Sequence, residues 1–529
     1  MGTREEPAPR DHYQTSCKRR SQFKPRTRRI RSSDQPRASI ASVMRGKTAT
    51  VQFAAVMPAS LISVKICAFH LQIIRPSMTT ASRCRSLVTW GDGTEHDYSS
   101  RVNDPPVRIA SDFLGPMEIP ADALYGPHTA RAIENFRVSG ITLGDRPELI
   151  VALAHVKIAA ARANEADGIL NTTLADAIVA AAVEIAGGQW HDHFPIDVVQ
   201  GGGGTSSNMN ANEVIANRAN ELLGSSRGTN DPVHPNDHVN RSQSTNDVYP
   251  TALQLAAVVV GRKALNGIAR LGAALEALAT RSGELERIGR TCLQDAVPLP
   301  VAAGHRGQAR ALERTSGDLA RALDGLLEVP LGATVIGTGV GATPGYRERV
   351  VPELVEASGL AVQPATNPFD ALAHFDGYVD VATQMVRIGL VAGKIANDIR
   401  FFTSSPVAEL SIPALQAGSS SMPGKVNPVL PELILQVSFE LRGAAHAIEA
   451  AAAAGDLELN VMEPVMARHL LGGLHDLGVA CELFADRCVS GLQWDEALLE
   501  TRLAGSYEST MERAVTEGYD SIAKPDVSG

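Results

Sequence analysis

The run Gly418-Ser419-Ser420-Ser421-Met422-Pro423-Gly424-Lys425-Val426-Asn427-Pro428 concentrates residue types that bind anions and, suitably activated, react. Glycines at 418 and 424 let the backbone take positive φ and act as hinges, and the serines between them add hydroxyls and amide donors. Asn427 is placed to cap a helix whose first residue is Pro428, continued by the apolar spacing of Leu430, Ile434, Val437, Leu441 and Ala445. The positive end of that helix and Lys425 would then face one spot. The plain alternative is a Ser/Gly-rich surface linker with a solvated lysine.

Four further polar runs share this character. Gly201-Gly202-Gly203-Gly204-Thr205-Ser206-Ser207-Asn208-Met209-Asn210 combines small side chains with hydroxyls and amides, a second loop suited to anions or, more blandly, a flexible linker. His234 to Asp247, which includes Ser242-Gln243-Ser244-Thr245-Asn246-Asp247, is a third; Arg290-Thr291-Cys292-Leu293-Gln294-Asp295-Ala296-Val297-Pro298 and Gly332 to Gly339 are the others. His234, Asp237 and His238 lie close together, but a loop of that composition more often caps a helix than ligates zinc, and no metal site is expected.

These runs need elements to hold them. Residues 149–187 carry alanine-rich helical patterns, Phe113 to Gly126 reads as a loop leading into a helix from Thr129 to Phe136, and His191 to Val199 reads as extended. A helix is expected over Glu213 to Leu223. After Pro250 a very long helix begins, with Leu265, Ile268, Leu271, Leu275 and Leu278 on one stripe. From there to about residue 495 the helices look built to pack lengthwise, as an elongated bundle broken by the polar runs. Hydrophobic residues at 44% supply a large core, and aromatics at only 4% favour helices over sheets.

The net charge of −9 hides an asymmetry. Residues 1–80 hold fifteen Lys/Arg against four Asp/Glu, a balance of +11 that leaves −20 for residues 81–529. So acidic a body excludes a general nucleic-acid surface. The basic start, dense from Lys18 to Arg31, reads as a self-repelling disordered segment; an organelle transit peptide is a second reading, and Met44, Met57 and Met78 allow a third, a later start. The apolar stretch 51–74 is interrupted by Pro58, Lys65 and His70, which argues against a membrane span. None of the six cysteines forms a C-x-x-C pair, and a reducing cytoplasm is the default expectation.

In order, and over about residues 107–520, these runs resemble the conserved regions of the fumarase/aspartase superfamily, in its class II fumarase/aspartase group; the run from Gly418 is similar to the signature G-S-S-x-x-P-x-K-x-N. The resemblance implies a mostly α, three-part fold around a central long-helix bundle, assembled as a homotetramer whose active sites each take loops from three subunits. It divides the chain into a basic extension (1–104), an N-terminal helical domain (105–243), the bundle (244–496) and a shortened C-terminal domain (497–529). A four-carbon dicarboxylate substrate is implied, with no cofactor. Thr245, where fumarases usually have serine, Gly202 to Ser206, Val426 to Glu432 and Asn460-Val461-Met462-Glu463-Pro464 look like the aspartase branch. The expected reaction is therefore elimination of ammonia from L-aspartate to give fumarate. Hydration of fumarate to malate and a catalytically silent scaffold are the alternatives.

Roles follow from the same resemblance. Ser419 is the general base, with Ser420 its nearest competitor; a serine hydroxyl can serve only where a preorganised electropositive loop favours its oxyanion. Lys425 and Asn427 bind the carboxylate next to the amine. Thr205, Ser244 and Thr245 hold the other carboxylate, while Asn246 and Thr291 orient the ammonium group. Each of these has a humbler reading as a cap or turn residue. Glu432 matches the glutamate that fumarases pair with a histidine to handle the proton of water, and Cys292 stands in that histidine's place. A thiol is a poor substitute there, and Cys292 reads best as a small buried packing residue.

Overall fold

The computed structural model describes residues 106–523, so the expectations for the basic extension and its cysteines lie outside the described residues. The chain opens with a hairpin, β1 (Val107–Asp112) and β2 (Gly115–Pro120), followed by helices α1 (Pro127–Asn135), α2 (Pro147–Ala166), α3 (Thr172–Ala186) and α4 (Thr205–Leu222). Helix α5 (Thr245–Arg281) leads to a second hairpin, β3 (Glu286–Thr291) and β4 (Gln294–Pro300), then α6 (Val301–Gly325). The short strand β5 (Glu328–Val329), α7 (Tyr346–Ser358), β6 (Gln363–Pro364), parallel to β5, and α8 (Pro368–Ala373) precede α9 (Asp376–Phe402). After β7 (Leu410–Ser411) come α10 (Val429–Ala452), α11 (Glu463–Arg487) and β8 (Gln493–Trp494), which pairs antiparallel with β7. Helices α12 (Glu496–Leu503), α13 (Glu508–Glu517) and α14 (Tyr519–Ala523) close the described chain. Among the described residues no helix is long and apolar enough to cross a membrane.

Five long helices, α5, α6, α9, α10 and α11, pack lengthwise. Their shared face buries Ile268, Leu271, Leu275 and Leu278 of the α5 stripe against a core that includes Leu319, Met385, Ile388, Leu441, Leu470 and Leu474. Helix directions can be read from pairs of contacts. Gly261 of α5 leaves room for Leu323 near the end of α6, and Glu276 further along α5 pairs with Arg306 near the start of α6, so these two run antiparallel. Gly267 and Gly478 allow α5 and α11 to approach backbone to backbone; Arg270 pairs with Glu482 and Asp486 further along, so these two run parallel. The Tyr378 hydroxyl donates to the Pro250 carbonyl, which sets the start of α9 beside the start of α5. Arg387 of α9 pairs with Asp318 of α6 while Asp398, further along α9, accepts from the earlier Gln308. Gly389 and Gly393 of α9 face Leu441 and then Leu435 of α10, so α9 runs antiparallel to both α6 and α10. Helices α5, α9 and α11 therefore point one way, and α6 and α10 the other.

Several local expectations change. Phe113 to Gly126 contains β2 rather than loop alone: Phe113 and Leu114 form a two-residue connection between Asp112 and Gly115, and the prolines at 116 and 120 had masked the strand's alternation. Helix α4 begins at Thr205, eight residues before Glu213, because Ser207, Asn208, Asn210 and Asn212 are buried and most find tertiary hydrogen bonds that outweigh weak helix propensity. Helix α5 begins at Thr245, before Pro250, started by a capping box in which the Ser244 and Asp247 side chains each accept a backbone N–H. His191 to His193 is a turn of 3-10 helix, and only a bridge between Thr142 and Asp197 is strand-like in the 191–199 segment.

Candidate active site

At one end of the bundle the glycine run meets the start of α5. Gly202, Gly203 and Gly204 all have positive φ, and a Cβ on Gly204 would fall 2.3 Å from the Tyr249 ring, so that position admits only glycine. Gly203 rests on Val461. Thr205 opens α4 with its hydroxyl donating to the Gly202 carbonyl at 2.7 Å. One turn on, the Asn208 amide donates to the Thr245 hydroxyl at 3.1 Å, bringing the starts of α4 and α5 together. The Ser244 hydroxyl caps α5 by accepting from the Asn246 N–H at 3.2 Å, and the Asn246 side-chain amide donates to the Val335 carbonyl at 2.9 Å, which brings in the fifth polar run.

A buried lysine organises this end. Lys157 of α2 is wholly buried, and its Nζ donates to three side-chain oxygens, Asn208 Oδ1 at 2.6 Å, Gln243 Oε1 at 2.8 Å and Asn240 Oδ1 at 3.1 Å. Three acceptors around one nitrogen are satisfied together only by an ammonium group. Burial pushes its pKa down to about 7, against the attraction of the Asp247 carboxylate. Burial likewise pushes Asp247 up to about 6, although the Ser244 and Gly332 N–H groups both donate to it. Because Asn208 accepts from Lys157 through Oδ1 and donates to Thr245 through Nδ2, the Thr245 hydroxyl keeps its own hydrogen free to donate elsewhere. Sequence reasoning passed over Lys157; its signal was a lone Lys/Arg amid the largely apolar run from Leu149 to Ala161. His234 behaves as the composition suggested, its Nδ1 accepting from the Asn236 and Asp237 N–H groups at 3.2 Å.

At the other end stand the serine loop and the second hairpin. The Ser419 hydroxyl oxygen accepts backbone N–H bonds from Met422 at 3.0 Å and Ser421 at 3.2 Å. Two donors on one hydroxyl oxygen favour its deprotonated form. Ser420 is exposed and makes no side-chain hydrogen bond among the described residues. The loop is closed by the Gly418 N–H donating to the Lys425 carbonyl at 2.7 Å and by the Asn427 amide donating to the Gly418 carbonyl at 2.8 Å. Asn427 is therefore a loop staple rather than the helix cap expected: Pro428 occupies the cap position of α10, without a side-chain cap bond. Lys425 is exposed, and Glu432 lies half-buried in the first turn of α10.

Thr291 ends β3, directly before the turn of the second hairpin. Cys292 and Leu293 form that turn with φ of 52° and 63°, the left-handed pair that Asn-Gly normally supplies. Cys292 is exposed, so the expected buried packing role is wrong; the tight two-residue turn leaves its side chain nothing to pack into.

Within one chain these two groups do not meet. The glycine run sits on Val461, and the neighbouring Asn460 amide donates to the Ala451 and Ala452 carbonyls at the C-terminal end of α10. The serine loop is folded back on the N-terminal end of the same helix. Helix α10 has 24 residues, so about 36 Å separates them. No hydrogen bond among the described residues links Ser419, Lys425 or Asn427 with Thr205, Ser244, Thr245, Asn246 or Thr291. A four-carbon molecule cannot span that gap.

A family profile described as a lyase matches residues 115–443. The chain belongs to the fumarase/aspartase superfamily. Among relatives in this superfamily, the aspartate ammonia-lyase of Bacillus subtilis (strain 168) is 43% identical over 392 residues, covering 74% of this chain and 82% of that protein. The aspartate ammonia-lyase of Escherichia coli (strain K12) is 42% identical over 398 residues, with 74% and 83% covered. The fold is similar to that of a fumarate lyase/delta crystallin from Brucella melitensis solved bound to cobalt, at 41% identity and a TM-score of 0.77, covering 79% of this chain and 92% of that one. It is also similar to a class II fumarase from Schistosoma mansoni, at 32% identity and a TM-score of 0.77, with 79% and 91% covered. The mostly α fold around a long-helix bundle, expected from the resemblance, is the superfamily's own.

Proposed function

We propose that the protein is an aspartate ammonia-lyase, a carbon–nitrogen lyase that converts L-aspartate reversibly to fumarate and ammonia. The observation that carries the chemistry is Ser419, whose hydroxyl oxygen accepts two backbone N–H bonds in a glycine-hinged loop. The named relatives supply the substrate. In the forward direction Ser419, as the oxyanion, removes a proton from the carbon beside one carboxylate, and the electron pair enters that carboxylate to form a dianionic aci-carboxylate. The pair then returns to form the double bond as ammonia leaves the adjacent carbon. Interactions that strengthen as the second negative charge develops are the ones that accelerate the reaction.

Thr205, Ser244 and Thr245 receive the carboxylate that gains this charge. Thr245 is the best prepared of the three, since the Lys157–Asn208 chain leaves its hydroxyl hydrogen free to donate. Ser244 already accepts a bond in its capping role and retains its hydrogen for the substrate. Thr205 would exchange its bond to the Gly202 carbonyl for one to substrate. Lys425 and Asn427 bind the carboxylate next to the amine, and Ser420 lines the closing loop. Asn246 and Thr291 orient the ammonium group. Glu432, in the first turn of α10, serves as a proton acceptor, and an ammonium leaving group that already carries its proton tolerates a thiol at 292.

Because the two halves of this set lie about 36 Å apart in one chain, the working site takes its halves from different copies, in a homotetramer. Purified protein given L-aspartate is expected to produce fumarate, followed by its ultraviolet absorbance. The same assay run with L-malate separates the lyase from a hydratase. Absence of product from both, in a folded tetramer, overturns the enzyme reading.

A further inference from the structure

We infer that Arg502, together with the turn at Tyr507, is a positioning element for Thr291, clamping the second hairpin from the C-terminal side of the chain. The inference rests on the proposed role of Thr291 in orienting the substrate's amine. Glu409, just beyond α9, has a fully buried side chain that receives two guanidinium groups. Arg290, next to Thr291, donates to both of its oxygens, through Nη1 to Oε2 at 2.9 Å and through Nη2 to Oε1. Arg502 of α12 donates Nη1 to Oε1 at 2.7 Å, and its Nη2 reaches the Val407 carbonyl, also at 2.7 Å. A second tie is independent of the first: the Tyr507 N–H donates to the Ala296 carbonyl of β4 at 2.9 Å.

The hairpin needs holding. Its turn places Cys292 and Leu293 in a left-handed conformation that neither residue favours, and strained turns persist only where their surroundings over-determine them. Arg290 alone leaves the buried Glu409 carboxylate hydrogen-bonded to one guanidinium; Arg502 supplies the second and fixes the rotamer of Glu409 through the shared oxygen. Guanidinium forks transmit direction as well as charge. Loss of Arg502 thus loosens the residue that holds the backbone immediately before Thr291, although Arg502 itself touches no candidate site residue among the described ones.

The test compares Arg502→Met, Arg502→Lys and Thr291→Val in the full chain, measuring turnover of L-aspartate and competitive inhibition by succinate, a dicarboxylate without an amine. Arg502→Met is expected to lower kcat/KM for L-aspartate about tenfold, to leave succinate inhibition within about twofold, and to be partly rescued in Arg502→Lys. Combined with Thr291→Val, its effect should be much less than multiplicative, because both act at one hairpin. Should Arg502→Met fail to fold, Tyr507→Pro takes its place with Tyr507→Ala as control: the φ of −80° suits proline, and only the N–H to Ala296 is lost between the two. Unchanged kcat/KM in the folded clamp variants while Thr291→Val is impaired overturns this proposal alone. Equal weakening of aspartate and succinate overturns it in favour of a merely structural role. A wild-type protein inert toward L-aspartate overturns the underlying reading and this proposal with it.

Discussion

Ser419 is a hydroxyl asked to act as a base, and its credibility rests on two N–H donors rather than on a neighbouring imidazole. Ser419→Ala is expected to abolish turnover while leaving assembly unchanged by size-exclusion chromatography; near-normal activity would remove the base assignment. Lys157 makes a different kind of contribution. Lys157→Met strands the Asn208 and Gln243 oxygens in a dry interior, while Asn240 keeps the Asn208 and Asn212 amides, and unpaired buried polar groups on this scale cost about 3 kcal/mol. Thermal unfolding should show that loss, and the KM for L-aspartate should rise as Thr245 loses its orientation. Ser419 was legible in the sequence because its neighbours form a contiguous motif. Lys157, Asp247 and Glu409 were not, because each acts through a partner between 50 and 120 residues away. Cys292 was misread for the complementary reason: an apolar thiol suggests burial, whereas turn geometry decided its exposure.

Elements differ in how strongly local sequence specifies them. The α5 stripe was readable from apolar spacing, whereas the start of α4 was not, since its first two turns are polar and are held by tertiary bonds rather than by propensity. The second hairpin conflicts with its own turn chemistry. Leu293→Gly is expected to relieve one left-handed residue and raise stability by about 1 kcal/mol, seen as a later chemical-denaturation midpoint. The 138–141 turn carries an opposite, well-satisfied device. Burial opposes ionisation of Asp197, but bonds from the Ser139 hydroxyl and from the Val199, Ser139 and Val138 N–H groups prevail and hold its carboxyl at about 2. A carboxyl depressed on folding adds stability that is complete above the unfolded value, near 4, and is lost as pH falls through about 2. Asp197→Asn should therefore destabilise at neutral pH and flatten the acid-unfolding profile between pH 4 and 2; an unchanged profile would contradict this account of the turn.

At the scale of the whole molecule, three helices running one way and two the other carry the candidate residues to opposite ends. Thr205, Ser244, Thr245 and Asn246 gather at the start of α5; Thr291, Ser419, Lys425, Asn427 and Glu432 gather at the start of α10 and the second hairpin. The polar runs were visible in the sequence as a set, but their division between two ends was not, because it depends on helix direction rather than on spacing. That division carries the central claim, that one site is made from two ends belonging to different copies. It is tested most directly by mixing Ser419→Ala subunits with Thr245→Val subunits, each nearly inactive alone, unfolding and reassembling them at equal ratio, and measuring fumarate formed from L-aspartate. Random assembly pairs an intact end of each kind in about a quarter of the sites, so activity should return to roughly that fraction of wild type. Hybrids that assemble yet stay as inactive as their parents would contradict a site shared between subunits.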